Sequence, residues 1–307
     1  MLSAVNKNEA MCYEALCNLT NDREEAWRLI KSLKIDGSSP LPTYSQALFL
    51  SIGASEEAIN SSWIGVRDCF DKERISFEVL KDGDGLFPIN RGKESVHYLY
   101  AAGNIELLKE KRITFLGMSH PSIQGKSDIL AAVSEAVSNG YAIMAPLDTG
   151  LGAFALSVAL KENGKAIAFL SGGLSKCPSE GLLALQGEIY SKGLLLSIFA
   201  PSMKVERYLV VYRNRYLAGI AEAVYLAEEK DGGPSWAIFD PAMESGIPVM
   251  LSKSIVDNPN FTWANDRASK GAMIAKKGSD IKKMMTGNKK PKKEKFFDST
   301  PDLFADL

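Results

Sequence analysis

Arg213-Asn214-Arg215 is the residue group with the clearest chemistry in this 307-residue chain. Guanidinium groups are planar forks of donors that match phosphate oxygens. Two of them at a helix start would add to the anion-attracting N–H groups already there. The segment KVERYLVVYRNRYLAG (204–219) places the pair immediately before an expected helix and a buried strand, with Lys204 and Arg207 close by. The competing structural use is an ion pair from one arginine to Glu222, Glu228 or Glu229. A second group, Gly117-Met118-Ser119-His120-Pro121-Ser122, closes a strand with glycine and opens a helix with hydroxyl residues. That order suits a phosphate cradle, but alone it reads more simply as a capped helix start with a surface histidine. It is not the G-x-G-x-x-G of dinucleotide sites.

The catalytic inventory is thin. G-x-S-x-G, H-E-x-x-H, Walker A and C-x-x-C are all missing. Asp148, Asp231 and Asp240 have no evident nucleophile beside them, and Cys177 has no accompanying histidine. Glu228-Glu229 could serve as general bases or stand as solvated or ion-paired carboxylates. Two histidines, His97 and His120, are too few for a multi-histidine metal site. Four scattered cysteines fit a reduced, cytoplasmic compartment. The expectation is a protein with no catalytic residue, no metal and no cofactor.

Groups of this kind need a sheet to hold them. Six apolar runs, at 112–117, 141–146, 165–171, 194–199, 223–228 and 247–252, alternate with amphipathic stretches that mostly read as helical crossovers. Tight hairpins cannot join parallel strands, so this alternation requires a doubly wound, mostly parallel α/β sheet. Ligands on such sheets bind beyond the carboxyl ends of the strands. The loops to watch are therefore 117–126, 145–152, 171–180, 199–216 and 228–235. Residues 8–70 read as helices with apolar positions three and four apart, broken at Thr20-Asn21-Asp22 and at 36–40. The expected division is a helical domain over 1–82, a Rossmann-like domain over 83–278 and a lysine-rich, disordered tail over 279–307.

Charge is segregated along the chain. The whole carries −1, yet residues 270–295 hold ten lysines against Asp280 and Glu294, a local +8. The body over 1–269 carries −6, so contact with a polyanion has to come from a local patch. The last residues, FFDSTPDLFADL, have the composition either of a partner-docking peptide or of an inert terminus. No apolar run is long enough to span a membrane, and no secretory leader is evident.

Taken in order, the strand and loop signatures resemble the DNA-processing protein A (DprA, also called Smf) family. The matching pieces are Tyr100…Gly103-Asn104, RITFLGMSHPS, NGYAIMAPLDTGLGAFALSVALKENGKAIAFLSGGL, KGLLLSIFAP and VYRNRYLAGIAEAVYLAEE, with Asn265 and Gly271-Ala272 closing the series. The resemblance implies an extended Rossmann-like domain that forms a homodimer. It further implies sequence-independent binding of single-stranded DNA, which the protein passes to a RecA-type recombinase in DNA processing, recombination and natural transformation. On it, Lys165, Arg213, Asn214 and Arg215 line an anionic-ligand pocket, joined by Gly117, Ser119 and His120 from the first loop. The chain departs from the family pattern in three loops, in one of which Gly233-Pro234-Ser235 stands where the family has Ser-Gly-Ser. Histidine stands where Gly-Ser-Arg would supply an arginine, and Ala145-Pro146-Leu147-Asp148-Thr149-Gly150 brings in an acid. The alternative is a small-nucleotide-binding or nucleotide phosphoribohydrolase-like protein on a related scaffold. That scaffold's Pro-Gly-Gly-x-Gly-Thr run is only approached by Ser171-Gly172-Gly173 and Asp231-Gly232-Gly233-Pro234-Ser235.

Overall fold

The structure, a computed structural model, describes residues 7–83, 85–86 and 96–286, with the Arg207 side chain left aside. Of the tail expected over 279–307, residues Asp280–Thr286 instead form a helix that buries Ile281 and Met284, and the rest from 287 onward, including Lys289 to Lys295 and the terminal peptide, lies outside the described residues.

Four helices lead the chain: α1 (Lys7–Thr20), α2 (Arg23–Ser32), α3 (Ser45–Ile52) and α4 (Glu56–Asp71). Asp22 caps α2, its side chain accepting from the Glu24 and Glu25 amides. Next come β1 (Glu78–Lys81), β2 (Tyr98–Gly103), β3 (Arg112–Leu116), α5 (Ile123–Ser138), β4 (Ala142–Pro146), α6 (Leu151–Lys161), β5 (Ala166–Phe169), α7 (Leu183–Lys192) and β6 (Leu194–Ser197). The last third runs α8 (Arg207–Ile220), β7 (Val224–Leu226), α9 (Trp236–Glu244), β8 (Val249–Ser252), α10 (Lys253–Asp257), α11 (Thr262–Ser269), β9 (Met273–Ala275) and α12 (Asp280–Thr286).

Among the described residues the strands form one sheet in the order β1-β2-β6-β5-β4-β3-β7-β8-β9. The six expected strands are all present and mutually parallel. Antiparallel β1 and β2 at one edge, and parallel β9 at the other, were not expected. Side chains alternate across the sheet as the pleat demands. Ile113, Phe115, Ile143 and Ala145 enter the core that also holds α5, α6 and the leading helices. Leu116, Met144, Ile167 and Phe169 enter the core under α8, α9 and α11. No helix among the described residues is long and apolar enough to cross a membrane.

The topology fixes where a ligand can go. From β3 the chain builds outward through β4, β5 and β6, then returns to the other flank of β3 for β7, β8 and β9. The loops after β3 and β7 therefore part in opposite directions and leave a crevice between them.

Candidate functional site

That crevice has a volume of about 750 Å³ and is walled by the loops after β3, β4, β5 and β7 and by the inner face of α8. Its loops are tightly fitted. Gly150 has φ +100°, and a Cβ there would collide with the Met118 carbonyl and Ser119. The Met118 amide donates to the Glu228 carbonyl at 2.7 Å, which ties the first loop to the strand beside it. Ser122 caps α5, accepting from the Gly125 amide.

Of the residues expected at the site, Gly117, Ser119, His120, Arg213 and Asn214 all line the crevice. Ser119 and His120 are exposed, with Ser119 Oγ 3.0 Å from His120 Nδ1. Lys165 is not brought to them. It precedes β5, so a parallel strand carries it to the opposite edge of the sheet, where Nζ pairs with Glu110 at 2.9 Å. Arg215 does not line the crevice either. Both arginines were expected just before a helix, but α8 begins six residues earlier, and Arg213 and Arg215 sit inside it. Two positions apart on a helix are about 200° apart around its axis, so the pair cannot converge on one phosphate.

Arg213 is wholly buried. It falls on the core stripe of α8 with Leu209, Tyr216, Leu217 and Ile220, and its charge is consumed internally. Nη1 and Nη2 donate to the two Asp148 carboxylate oxygens at 3.2 and 2.6 Å. Nε and Nη2 both donate to Asn214 Oδ1, while Asn214 Nδ2 donates to the Pro234 carbonyl at 2.8 Å. The acid that holds Arg213 is thus Asp148 rather than Glu222, Glu228 or Glu229.

Those last two glutamates are also engaged. Glu228 Oε2 accepts the Ser122 amide at 2.8 Å and lies against Gly125, so its carboxylate occupies the first turn of α5. Glu229 accepts from the Lys230 and Ser235 amides at 2.9 and 3.2 Å, holding together the loop before α9. Neither stands as a solvated general base. Cys177 donates its thiol to the Ser179 carbonyl, and burial pushes that thiol's pKa up, away from a reactive thiolate.

The uncommitted chemistry lies on the rim and the floor. Exposed Lys230 lines the crevice. A second hollow of about 530 Å³ meets it through Ser119 and carries exposed Lys126. On the floor, the Ser171 hydroxyl is buried with no hydrogen-bond partner among the described residues. Lys126 and Lys230 were not singled out from the sequence, and Ser171 was noted only within the Ser171-Gly172-Gly173 run of the alternative reading. Their positions after strand ends were the available signal, since three of the five watched loops contain them.

The family model for DNA recombination-mediator protein A matches residues 83–286. DNA processing protein DprA of Streptococcus pneumoniae is 29% identical over 184 residues, covering 60% of this chain and 64% of that protein. The Bacillus subtilis DprA is 26% identical over 162 residues, covering 52% and 54%. The chain therefore spans less than two thirds of the length of these curated relatives. The solved S. pneumoniae DprA superposes with a TM-score of 0.69 at 21% identity, over 90% of this chain and 94% of that one. DNA processing protein A from Helicobacter pylori, solved to describe its mode of binding single-stranded DNA, gives 0.61 at 18%, over 70% and 98%.

Proposed function

This chain belongs to the DNA recombination-mediator protein A family, and from that membership we propose that it binds single-stranded DNA in the switch-point crevice as a mediator of DNA processing and recombination. The observation that carries the reading is the line of exposed bases on the crevice rim, Lys230 and His120 beside one hollow and Lys126 beside the next. Ser119 borders both hollows, so the two lie side by side along one face of the loops. A track of ammonium groups suits a sugar-phosphate backbone and needs no bond-breaking residue. On the same reading the protein works in the cytoplasm as a homodimer and hands its strand to a RecA-type recombinase, without catalysing a reaction.

The nucleotide-hydrolase alternative fits less well. Glu228 and Glu229, the strand-end carboxylates that could have served as general bases, already accept backbone amides.

The test is a titration of fluorescent oligothymidylate across salt concentration, comparing the full chain with a Lys126→Ala/Lys230→Ala variant. The expected result is affinity at least about tenfold weaker. Log affinity should also fall less steeply with log salt, by roughly 0.7 for each phosphate that a lysine no longer neutralises. Unchanged affinity and slope would reject the rim as the binding track.

A further inference from the structure

The carboxyl edge of the sheet continues past the crevice. The ladder pairs Leu116–Leu226, Leu226–Leu251 and Leu251–Ile274 run straight across β3, β7, β8 and β9. Two residues beyond that line stand Met118, Glu228, Lys253 and Lys276, so the chain leaving β9 emerges level with the crevice loops. β9 lies three strand spacings from β3 and two from β7, about 14 and 10 Å. What emerges there is basic. Residues 276–286 carry Lys276, Lys277, Lys282 and Lys283, all exposed, against Asp280, a local +3. The next nine residues of the sequence add five lysines against Glu294.

The local architecture keeps these ammonium groups outward. Asp280 accepts the Lys276 and Lys277 amides at 3.0 and 3.2 Å, so its carboxylate engages their backbone rather than their side chains. Among the described residues, Lys283 pairs with Asp280 and Lys253 with Asp257, whereas Lys276, Lys277 and Lys282 form no ion pair. Ile281 and Met284 anchor α12 in the core that also holds α5. A Cβ at Gly278 would meet the Ala131 carbonyl at 2.7 Å, so this turn is seated on the helix whose first turn carries Lys126. Like charges fixed this close repel one another, and a polyanion relieves that repulsion while releasing its own counterions. We propose that Lys276, Lys277 and Lys282 extend the strand-binding surface, so that one DNA strand held in the crevice continues across the ends of β8 and β9 onto the turn before α12. Its contacts there are to phosphates and therefore independent of sequence. A strand fits better than a broad anionic surface, because the −6 carried by residues 1–269 repels the latter while a strand can follow one basic line.

The inference rests on strand binding in the crevice, and the experiment separates the two. Oligothymidylates of about 6 and about 20 nucleotides, lengths that bracket common single-strand sites, are titrated across salt into the full chain and into a Lys276→Gln/Lys277→Gln/Lys282→Gln variant. The variant is expected to keep its affinity for the short strand and to lose about tenfold on the long one, with a log–log salt slope shallower by roughly 2, or about 0.7 for each lysine. The charge-preserving Lys276→Arg/Lys277→Arg/Lys282→Arg variant should bind the long strand as the unaltered chain does; a loss there would point to a disturbed α12 and overturn the proposal. Unchanged long-strand affinity and slope in the glutamine variant would overturn the extension and leave crevice binding in place. Equal losses on both strands would overturn it as well, since the lysines would then act as a general field. Two long strands bound per chain would make the turn a separate site rather than a continuation. Vesicles containing phosphatidylglycerol are run alongside; binding to them that the glutamine variant loses, with long-strand affinity intact, would assign the lysines to a membrane surface instead. Failure of either strand to bind the unaltered chain would overturn both readings.

Discussion

Two regions of this molecule bury ion pairs, and they differ in what is left over. In the seam between the leading helices and β2, Glu14 accepts the Tyr100 hydroxyl at 2.8 Å and faces Arg23 at 3.6 Å. Glu9 accepts the Tyr98 hydroxyl at 2.8 Å and Lys81 at 2.5 Å. Aromatic packing closes around both: Tyr13 lies 4.9 Å from Tyr98, and Trp27 meets Tyr98 edge-on. In the crevice, Arg213 is equally deep, but its acid is partly exposed and a buried hydroxyl beside it lacks a partner among the described residues. Burial of charge is thus common to a structural joint and a candidate site. Both regions also bury groups without a partner among the described residues, Ser171 in one and the Tyr13 hydroxyl and Arg23 Nε in the other, so what separates them is which partner meets open space: the acid Asp148 in the crevice, the bases Arg23 and Lys81 in the seam.

The largest effect that could break this comparison comes from Arg213. Arg213→Met removes one partner of a buried pair and leaves Asp148, Asn214 Oδ1 and the Phe169 carbonyl short of donors. The expected cost is about 3–5 kcal/mol of stability, read as a lower urea midpoint. Lost DNA binding with an unmoved midpoint would make Arg213 a direct ligand to the strand and erase the distinction. Glu14→Gln sharpens the other side. It keeps an acceptor for Tyr100 but removes the charge facing Arg23, at an expected cost of about 1–2 kcal/mol, with oligonucleotide affinity unchanged. A parallel drop in affinity would show that the seam, too, takes part in binding.

How much of this was legible beforehand depends on range. The six parallel strands follow from apolar runs separated by helical crossovers, because local pattern dictates local structure and parallel pairing forces the crossover. β1 and β2 escaped notice because their pairing is antiparallel and β2 joins β6, almost a hundred residues away. Gly117, Ser119 and His120 line the crevice as the family resemblance implied, whereas their loop pattern alone read more simply as a capped helix start. The arginines were misplaced for a subtler reason. KVERYLVVYRNR carries no breaker before Arg213, so the helix starts at Arg207. The spacing of Leu209, Arg213, Tyr216, Leu217 and Ile220 already put that arginine on the apolar stripe. The partner Asp148 lies 65 residues away, and only the folded sheet reveals that pairing.

The smallest expected effect belongs to His97, in the seam. Its ring stacks on Trp27 at 4.2 Å and lies edge-on to Tyr13. Glu24 stands 3.2 Å from Nε2 and Asp82 3.8 Å from Nδ1, with Arg23 adding positive charge nearby. Burial, the largest influence, holds the imidazole below its ordinary value of 6.5, and Glu24 and Asp82 only partly oppose it. The folded chain therefore binds fewer protons here than the unfolded one. By linkage, stability should rise with pH through this window: His97's contribution is complete above 6.5 and is lost as pH falls toward the lowered folded value. Urea unfolding at a series of pH values between about 5 and 7.5 should show this slope, and His97→Gln should flatten it. A slope of opposite sign would mean that the two carboxylates outweigh burial and hold His97 protonated. The seam would then be a stronger electrostatic clamp, and its contrast with the crevice would narrow to the exposure of Asp148.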